Sequence, residues 1–296
     1  MKQFLAPIFG VALLALVAAS GRRAHAAGAV SAVGAEPVSM VGLTADNRLV
    51  LFDSNQPAAV RIVPAAPVRG RLVGLDFRPA DGKLYAVSDS HEIYLLDPDT
   101  GKARRLATLT VPWNGGARSG VDFNPQTDRL RLVGANGQNV RAHASLGAAA
   151  LDGPLVFGRR DKNAGRRPHS TAAAYTRSLP KTAKTLLFEI DSDLDILTLQ
   201  DPPNDGVLAT VGPLGVDFGP TGGFDILTDG EREIAYAVSG STLYSIDLAT
   251  GAATKVGEIG PAAAAGAARL DLIGLSIRLR PVSPARSAAS GARGSS

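Results

Sequence analysis

The sequence predicts an all-β fold, a β-propeller of five four-stranded blades. The first observation behind this prediction is a repeat: the strand-like GLDFRP at Gly74 returns as GVDFNP at Gly120, 46 residues later. A second apolar strand follows in both copies, as KLYAV or RLRLV, and looser copies begin at Ala172, Gly223 and Gly274. Repeats of about 45 residues built from short strands are typical of propellers, because one such unit cannot bury both of its faces alone.

The second observation is a hairpin that recurs in phase with this repeat. Each copy is a strand ending in a polar residue, a tight turn and another short strand, as in LLDPDTGKARRLA and SIDLATGAATKV. Four of the turns contain a glycine where a hairpin needs a positive φ, and these are Gly101, Gly147, Gly206 and Gly251. Another hairpin lies between the two repeated features, and Asn136-Gly137 predicts a two-residue turn there.

The third observation concerns the two ends of the repeat. The N-terminal strands, Val38–Pro64, have no inner strand before them, while the last copy, Gly274–Leu279, has no hairpins after it. Pairing the two ends would complete a fifth blade and leave no free sheet edge. The alternative is six blades, with a degenerate unit hidden in Val207–Pro220.

The N-terminal residues predict a cleaved secretory signal peptide. Lys2 precedes an apolar run, Phe4–Ala19, and the small-residue site Ala24-His25-Ala26 follows it, which is the tripartite signal pattern. We expect cleavage between Ala26 and Ala27 and a periplasmic or secreted protein. The alternative, a membrane anchor, is disfavoured because the run is shorter than the ~20 residues of a spanning helix. We therefore expect no stable membrane span after cleavage.

The predicted domain organisation follows from these boundaries. Residues 1–26 form the signal peptide, 27–37 a linker, 38–280 the propeller and 281–296 a tail. The tail is rich in Ser, Ala, Gly and Arg, a composition that predicts disorder.

Composition and charge exclude several classes of protein. The chain has no cysteine, so it has no disulfide framework, thiolate metal site or lipoprotein anchor. The net charge is +4, but five of its cations lie in the signal peptide and the tail, and without them residues 27–280 carry −1. A nucleic-acid-binding protein needs a clustered basic face, so we expect no nucleic-acid partner. The local basic run RRDKNAGRR, residues 159–167, is interpreted as a solvated loop.

Three stretches are distinctive in combination. They are GVDFNPQTDRLRLVGANGQNVR at 120–141, IDSDLDILTLQDPPNDG at 190–206, and the closing GFDIL with LYSIDLATGAATKVG. In these stretches the chain resembles the bacterial domain of unknown function 4394 family, and the resemblance covers residues 41–279. It implies a secreted, repeat-built β protein, and it supplies no catalytic residues to carry over.

The repeat places three acidic residues at one position of the inner strands. Asp76, Asp122 and Asp225 share this position, and Ala174 and Ser276 occupy it in the other two copies. Inner strands line the central channel of a propeller, so these carboxylates are channel-lining candidates that could recruit a cation. In the favoured alternative, each carboxylate hydrogen-bonds backbone groups of its own or the next blade.

A second acidic group is a candidate calcium-binding turn at Asp191, Asp193 and Asp195. An EF-hand loop starting at Asp191 would need Gly at its sixth position and Glu at its twelfth, but the sequence has Ile196 and Pro202 there. Scaffold turns also favour Asp, and this interpretation is preferred. Calcium is the one cofactor for which the sequence offers candidates, and no other cofactor is evident.

Three more residues are candidates for contact with a ligand or partner. Arg129 and Arg131 alternate with leucines, as on a half-exposed strand, and the preceding copy of the repeat lacks this pair. Trp113 is the only tryptophan and lies in a connection between repeats, where an aromatic ring stacks on a ligand or fills the core. The structural alternatives are a solvated strand face for the arginines and a core position for Trp113.

Together these features favour a non-catalytic, extracytoplasmic binding module whose partner is a protein or a glycan. The sequence contains no Gly-x-Ser-x-Gly elbow, P-loop or dinucleotide fingerprint, and repeat folds commonly present binding faces. The alternative is a metal-assisted hydrolase or lactonase with its site in the central channel, at Asp76, Asp122 and Asp225.

Overall fold

The computed structural model describes residues 36–261 and 269–279. All regular secondary structure in these residues is β-strand, arranged in five sheets that form a five-bladed propeller, so the predicted fold is confirmed. No helix among the described residues is long and apolar enough to cross a membrane. The predicted signal peptide with its cleavage site at Ala26 and Ala27, nearly all of the linker, and the tail lie outside the described residues.

The strands follow the chain from blade to blade. Blade one begins with its three outer strands, β1 (Ser39–Thr44), β2 (Arg48–Asp53) and β3 (Gln56–Pro64). Blade two, from the inner strand outward, is β4 (Leu72–Phe77), β5 (Leu84–Ser88), β6 (Glu92–Leu96) and β7 (Ala103–Thr108). Blade three is β8 (Ser119–Asn124), β9 (Arg129–Gly134), β10 (Asn139–Ala142) and β11 (Ala149–Leu151).

The last two blades complete the ring. After the short strand β12 (Val156–Phe157), blade four is β13 (Ser170–Tyr175), β14 (Leu187–Asp191), β15 (Ile196–Gln200) and β16 (Val207–Pro213). Blade five is β17 (Gly222–Asp229), β18 (Arg232–Ser239), β19 (Thr242–Ile246) and β20 (Ala253–Glu258). The inner strand of blade one is β21 (Leu272–Ile277).

Blade one is closed by strands from the two ends of the propeller. β21 pairs antiparallel with β1, with Gly42 opposite Leu275. This pairing removes the free edges that the first and last strands would otherwise expose, and it confirms the predicted closure. The six-blade alternative is wrong, because Val207–Pro213 is an outer strand of blade four rather than a separate unit.

Blade four departs from the four-stranded pattern. β12 pairs in parallel with β16, with Val156 opposite Val207, and makes a five-stranded sheet. The segment that leaves blade three therefore runs beside the outer edge of blade four before it reaches the inner strand. The repeat gave no sign of this strand, because it is only two residues long.

The predicted turn glycines adopt the expected backbone conformation. Positive φ values of 73°, 69°, 72° and 84° occur at Gly101, Gly147, Gly206 and Gly251. At Gly101 a side chain would also collide with the carbonyl oxygen of Pro64 in blade one. Asn136-Gly137 lies in a turn as expected, but the prediction of a two-residue hairpin was wrong. β9 ends at Gly134 and β10 begins at Asn139, and only Gly137 has a positive φ, of 83°.

The core lies between the blades. Each of the five interfaces between neighbouring sheets contains its own hydrophobic cluster of described residues. All six residues of the inner strands β4, β13 and β21 are buried. In the outer strand β7, only Ala103 is buried, and the other five residues are partly or fully exposed. Burial thus decreases from the axis to the rim, and the axis is the region in which polar side chains need explanation.

Candidate functional site

The repeat brings three acidic side chains together at the propeller axis. One oxygen from each of Asp76, Asp122 and Asp225 lies within 4.8 Å of the others. The three residues are only 5%, 4% and 6% exposed. Ser276, from blade one, completes this axial cluster, with its Oγ 2.8 Å from Asp76 Oδ1 and 3.2 Å from Asp225 Oδ2. The predicted convergence of the carboxylates therefore occurs, at a buried position.

Each carboxylate of the axial cluster accepts a backbone hydrogen bond from the next blade. Asp76 Oδ2 accepts from the N–H of Phe123 at 2.9 Å, and Asp122 Oδ2 accepts from that of Tyr175 at 3.0 Å. In both cases the donor is one residue beyond the equivalent position of the next inner strand. The side chain at this position therefore joins neighbouring blades.

Blade five and blade one continue the same pattern around the ring. Asp225 Oδ2 accepts from the N–H of Ile277 at 2.6 Å, and Ser276 Oγ accepts from the N–H of Phe77 at 3.0 Å. Four of the five inner strands are joined to their neighbour in this way. This is the arrangement expected for buried polar groups that satisfy backbone donors.

Blade four is the exception, because Ala174 offers no side-chain acceptor. The N–H of Ile226, the equivalent donor in blade five, is accepted instead by Asp225 Oδ1 at 2.6 Å. Asp225 therefore uses one oxygen for its own backbone and the other for the next blade. Oδ1 therefore replaces the acceptor that the repeat lacks at Ala174.

Burial raises the pKa of all three carboxyls, and repulsion between them adds to this at Asp76 and Asp122. Burial raises the pKa of both Asp76 and Asp122 well above the usual range of a carboxyl. The charge of Asp225 raises the pKa of Asp76 further. The charges of Asp76 and Asp225 do the same for Asp122. Burial raises the pKa of Asp225 to about 6. The axial carboxyls therefore keep their protons to a higher pH than exposed carboxyls do.

The position two residues before each axial side chain carries a glycine in four blades and Ala172 in blade four. A Cβ placed on Gly120 would lie 2.5 Å from the backbone nitrogen of Ala173, and one placed on Gly223 would collide with the nitrogen of Leu275. Only glycine lets neighbouring inner strands approach this closely. At Gly120 and Gly223 the backbones of neighbouring inner strands are therefore in close contact.

The carboxylates of the candidate calcium turn hydrogen-bond to other groups of the chain. Asp191 is fully buried and accepts backbone hydrogen bonds from His169, Asp193 and Leu194. Asp193 contacts the side chains of His169 and Arg118, and Asp195 accepts from the N–H of Phe218. The three carboxylates are thus engaged with separate partners in the chain, as the scaffold interpretation expects.

Arg129 and Arg131 lie in very different environments although only one residue separates them. Arg129 is exposed and its guanidinium donates to the carbonyls of Thr127 and Asp128. The side chain of Arg131 is 3% exposed and lies between blades three and four. Its guanidinium donates to Asn139 Oδ1, Asp152 Oδ2, Asn204 Oδ1 and the hydroxyl of Tyr175. Arg131 is therefore unavailable to an outside ligand.

A buried glutamate accompanies Arg131 at this interface. Glu189 is 0% exposed, and neither of its carboxylate oxygens has a hydrogen-bond partner among the described residues. Burial raises its pKa to about 7, against smaller lowering effects of the Ser170 hydroxyl and the Arg131 charge. Sequence reasoning missed this group, and its only signal was a charged residue inside the apolar strand LLFEID.

Trp113 belongs to the core between blades two and three. It is 1% exposed, and its indole N–H donates to Ser119 Oγ at 3.1 Å. Its backbone N–H donates to His91 Nδ1 at 3.1 Å. The connection folds inward and uses the ring to fill the space beneath it, which is the core position given above as the alternative to ligand contact.

The structure also contains an open concavity of about 550 Å³ beside blade two, which the sequence did not predict. We call it the blade-two groove. Its apolar lining is Phe77, Leu84, Leu95, Leu96, Pro98 and Leu279. Its charged lining is Lys83, Asp97, Lys102, Arg104 and Arg278. The turns that follow β4 and β6 meet the end of β21 here, so the groove combines residues more than 170 positions apart in the chain.

The comparisons with known proteins agree with the resemblance seen in the sequence. Residues 48–268 match a family described as a domain of unknown function, DUF4394. The chain belongs to this family. No curated protein matches the chain.

Two of the solved structures that are similar to the chain come from distantly related sequences. One is a structural genomics protein of unknown function from Bacteroides thetaiotaomicron VPI-5482, 15% identical, with a TM-score of 0.49 over 83% of this chain and 68% of that one. The other is called an auxiliary nutrient binding protein from the same organism. It is 14% identical, with a TM-score of 0.40 over 67% of this chain and 55% of that one.

Proposed function

We propose that this DUF4394 protein is an extracytoplasmic, non-catalytic module that binds a small ligand in the blade-two groove. The observation that carries the proposal is the contrast between the groove and the axis. The groove is open and about 550 Å³ in volume, within the range of about 300–1,000 Å³ usual for small-molecule sites. The axial carboxylates are buried and occupied by hydrogen bonds between blades.

The extracytoplasmic location rests on the N-terminal sequence. A basic start, an apolar run and a small-residue site at Ala24-His25-Ala26 form the pattern of a cleaved signal. Edman sequencing of the mature protein should begin at Ala27. Recovery of the intact N-terminus from the envelope fraction would contradict this part of the proposal.

The absence of cysteine allows a direct test of the groove. The full chain with Lys102→Cys would be labelled with a bulky maleimide that fills the groove, and Arg159→Cys, in the exposed loop before blade four, would be the labelled control. Thermal melting would be followed with neutral sugars, amino acids, medium-chain carboxylates and calcium chloride. We expect one of the organic classes to raise the melting temperature of the control and not of the labelled Lys102→Cys protein.

Two other outcomes would contradict the proposal. Stabilisation by a sugar or another organic compound in both labelled proteins would place binding outside the groove. No organic stabilisation in the control would remove small-ligand binding as the function.

The second candidate function is the metal-assisted hydrolase or lactonase, favoured by the approach of three carboxylate oxygens to within 4.8 Å. Carboxylates at such distances are suitable ligands for calcium. Elemental analysis of the purified full chain, before and after Asp122→Asn, tests it. Stoichiometric calcium that is lost in the variant would support this candidate, and no bound metal in the wild type would remove it.

A further inference from the structure

The blade-two groove has an apolar floor. Phe77, Leu84 and Leu96 are almost completely buried, and Leu95 and Leu279 are half-buried where they line the groove. A ligand that covered Leu95 and Leu279 would remove their remaining apolar surface from water, which stabilises a complex by roughly 25 cal/mol per Å² of area. The floor therefore selects a ligand with an apolar body.

The rim of the groove carries cations without partners. Lys83, Lys102 and Arg104 are exposed and form no ion pair with any described residue. Arg278, in contrast, lies 3.0 Å from Asp99. Three unneutralised positive charges around one concavity attract an anion, even though residues 27–280 carry a net charge of −1.

The one acidic residue of the groove does not neutralise these cations. Asp97 Oδ1 accepts the backbone N–H groups of Asp99 and Thr100, at 2.9 and 3.2 Å. These hydrogen bonds hold the carboxylate within its own turn. Asp97 forms no ion pair with a described cation, and the three cations Lys83, Lys102 and Arg104 outnumber it, so the rim keeps a net positive charge.

The chain beyond Leu279 is not a suitable occupant on grounds of charge. Residues 280–296 contain three arginines and no acidic side chain. Lys83, Lys102 and Arg104 would repel such a segment. Charge complementarity instead favours a separate, negatively charged molecule.

From these observations we infer that the blade-two groove binds an amphipathic organic anion, with its apolar body on Leu95 and Leu279 and its anionic head between Lys102 and Arg104. The cavity of about 550 Å³ accommodates a medium-chain carboxylate or a compound of similar size. This inference rests on the proposed function, because it specifies the ligand of the same groove.

Isothermal titration of the full chain with four matched compounds tests the ligand class. Octanoate has the apolar body and the charge, octanol lacks the charge, octylammonium reverses it, and acetate lacks the apolar body. We expect octanoate to bind about tenfold more tightly than octanol, with weaker binding at high salt, since screening shortens the reach of exposed charges. Octylammonium and acetate should show no binding.

Variants of the rim provide the second arm of the experiment. Lys102→Ala combined with Arg104→Ala should weaken octanoate binding about tenfold and leave octanol unchanged. The matched control, Arg129→Ala combined with Lys181→Ala, removes two exposed cations elsewhere and should leave both affinities unchanged.

Equal affinity for octanol and octanoate, or an unchanged octanoate affinity in the rim variant, would overturn the inference. A neutral sugar that binds the Arg159→Cys control and not the labelled Lys102→Cys protein would overturn this ligand class while leaving the proposed function intact. If no compound distinguishes those two proteins, both proposals fall.

Discussion

The propeller buries ionisable side chains in two regions, and they have different hydrogen-bond partners in each. At the axis, Asp76, Asp122 and Asp225 have no cationic partner among the described residues and are held by backbone N–H groups of the next blade. Between blades three and four, the guanidinium of Arg131 is surrounded by side-chain acceptors, while the carboxylate oxygens of Glu189 nearby have no hydrogen-bond donor among the described residues.

The difference shows that buried ionisable groups can be stabilised either by the repeated backbone or by particular side chains. The axial acceptors recur at one position of successive blades, so each carboxylate meets a donor that the fold presents in every blade. The interface network occurs once, and it uses Asp152, which follows β11, and Asn204, which precedes β16. Its stability therefore depends on particular side chains rather than on the repeat.

The largest expected effect comes from removing the centre of the interface network. Arg131→Met would leave Asn139, Asn204 and the buried Asp152 without their guanidinium donor, although Arg141 still contacts Asp152. Breaking a buried ion pair in this way costs about 3 kcal/mol or more in the free energy of unfolding. Urea denaturation measures this change.

Arg129→Met is the matched control, on the same strand and exposed. It should change the free energy of unfolding by no more than about 0.5 kcal/mol. Equal effects of the two substitutions would show that the interface network contributes no more than an exposed strand position.

An intermediate effect is expected from Glu189, and it depends on pH. Its pKa of about 7 lies above the value of about 4.3 for an unfolded glutamate. The folded protein thus binds the proton more tightly, and its stability falls as the pH rises from about 4.5 to about 7. Glu189→Gln removes this dependence, so at pH 8 the variant should be more stable than the wild type by on the order of 2–3 kcal/mol.

The measurement is the free energy of unfolding of wild type and variant at several pH values. Glu231→Gln, at an exposed position, is the control and should follow the wild-type profile. Parallel profiles for Glu189→Gln and the wild type would show that Glu189 does not titrate in the folded protein between these pH values.

The smallest expected effect is at the axis. Asp122→Asn keeps an oxygen that accepts the N–H of Tyr175 and prevents a negative charge from forming beside Asp76 and Asp225. We expect it to change the free energy of unfolding at pH 8 by about 1 kcal/mol or less, in the stabilising direction, because repulsion is relieved while the hydrogen bond remains. Asp122→Ala should instead destabilise the protein by about 1–3 kcal/mol, because the N–H of Tyr175 is left buried without an acceptor.

Chemical denaturation of the two Asp122 variants in calcium-free buffer provides the comparison. A loss of more than about 2 kcal/mol in Asp122→Asn would mean that the ionised carboxylate itself is required. The axis would then resemble the Arg131 interface in depending on charge.

The repeat made the axial cluster predictable from sequence. Because Asp76, Asp122 and Asp225 share one strand position, the ring symmetry alone places them together. The sequence could not predict that Asp225 would supply the acceptor missing at Ala174. This depends on the N–H of Ile226 lying within reach of the second carboxylate oxygen of Asp225.

Other residues show where sequence patterns fail. Arg129 and Arg131 have the same local pattern, yet one is exposed and the other buried, because a neighbouring blade covers only the second. Trp113 is buried by its own connecting segment, and the short strand β12 gives no periodic signal. The blade-two groove was also missed, because Lys83, Lys102 and Leu279 meet only after the ring has closed.

The sequence by itself determined the number of blades, the closure of blade one and the position of the axial side chains. These properties follow from strand periodicity, turn glycines and the repeat, all of which are local or periodic along the chain. Only the tertiary structure decided which charges are buried, which carboxylate has a partner and where an open concavity remains. Those properties depend on side chains from different blades, and their distances are set by packing rather than by spacing in the sequence.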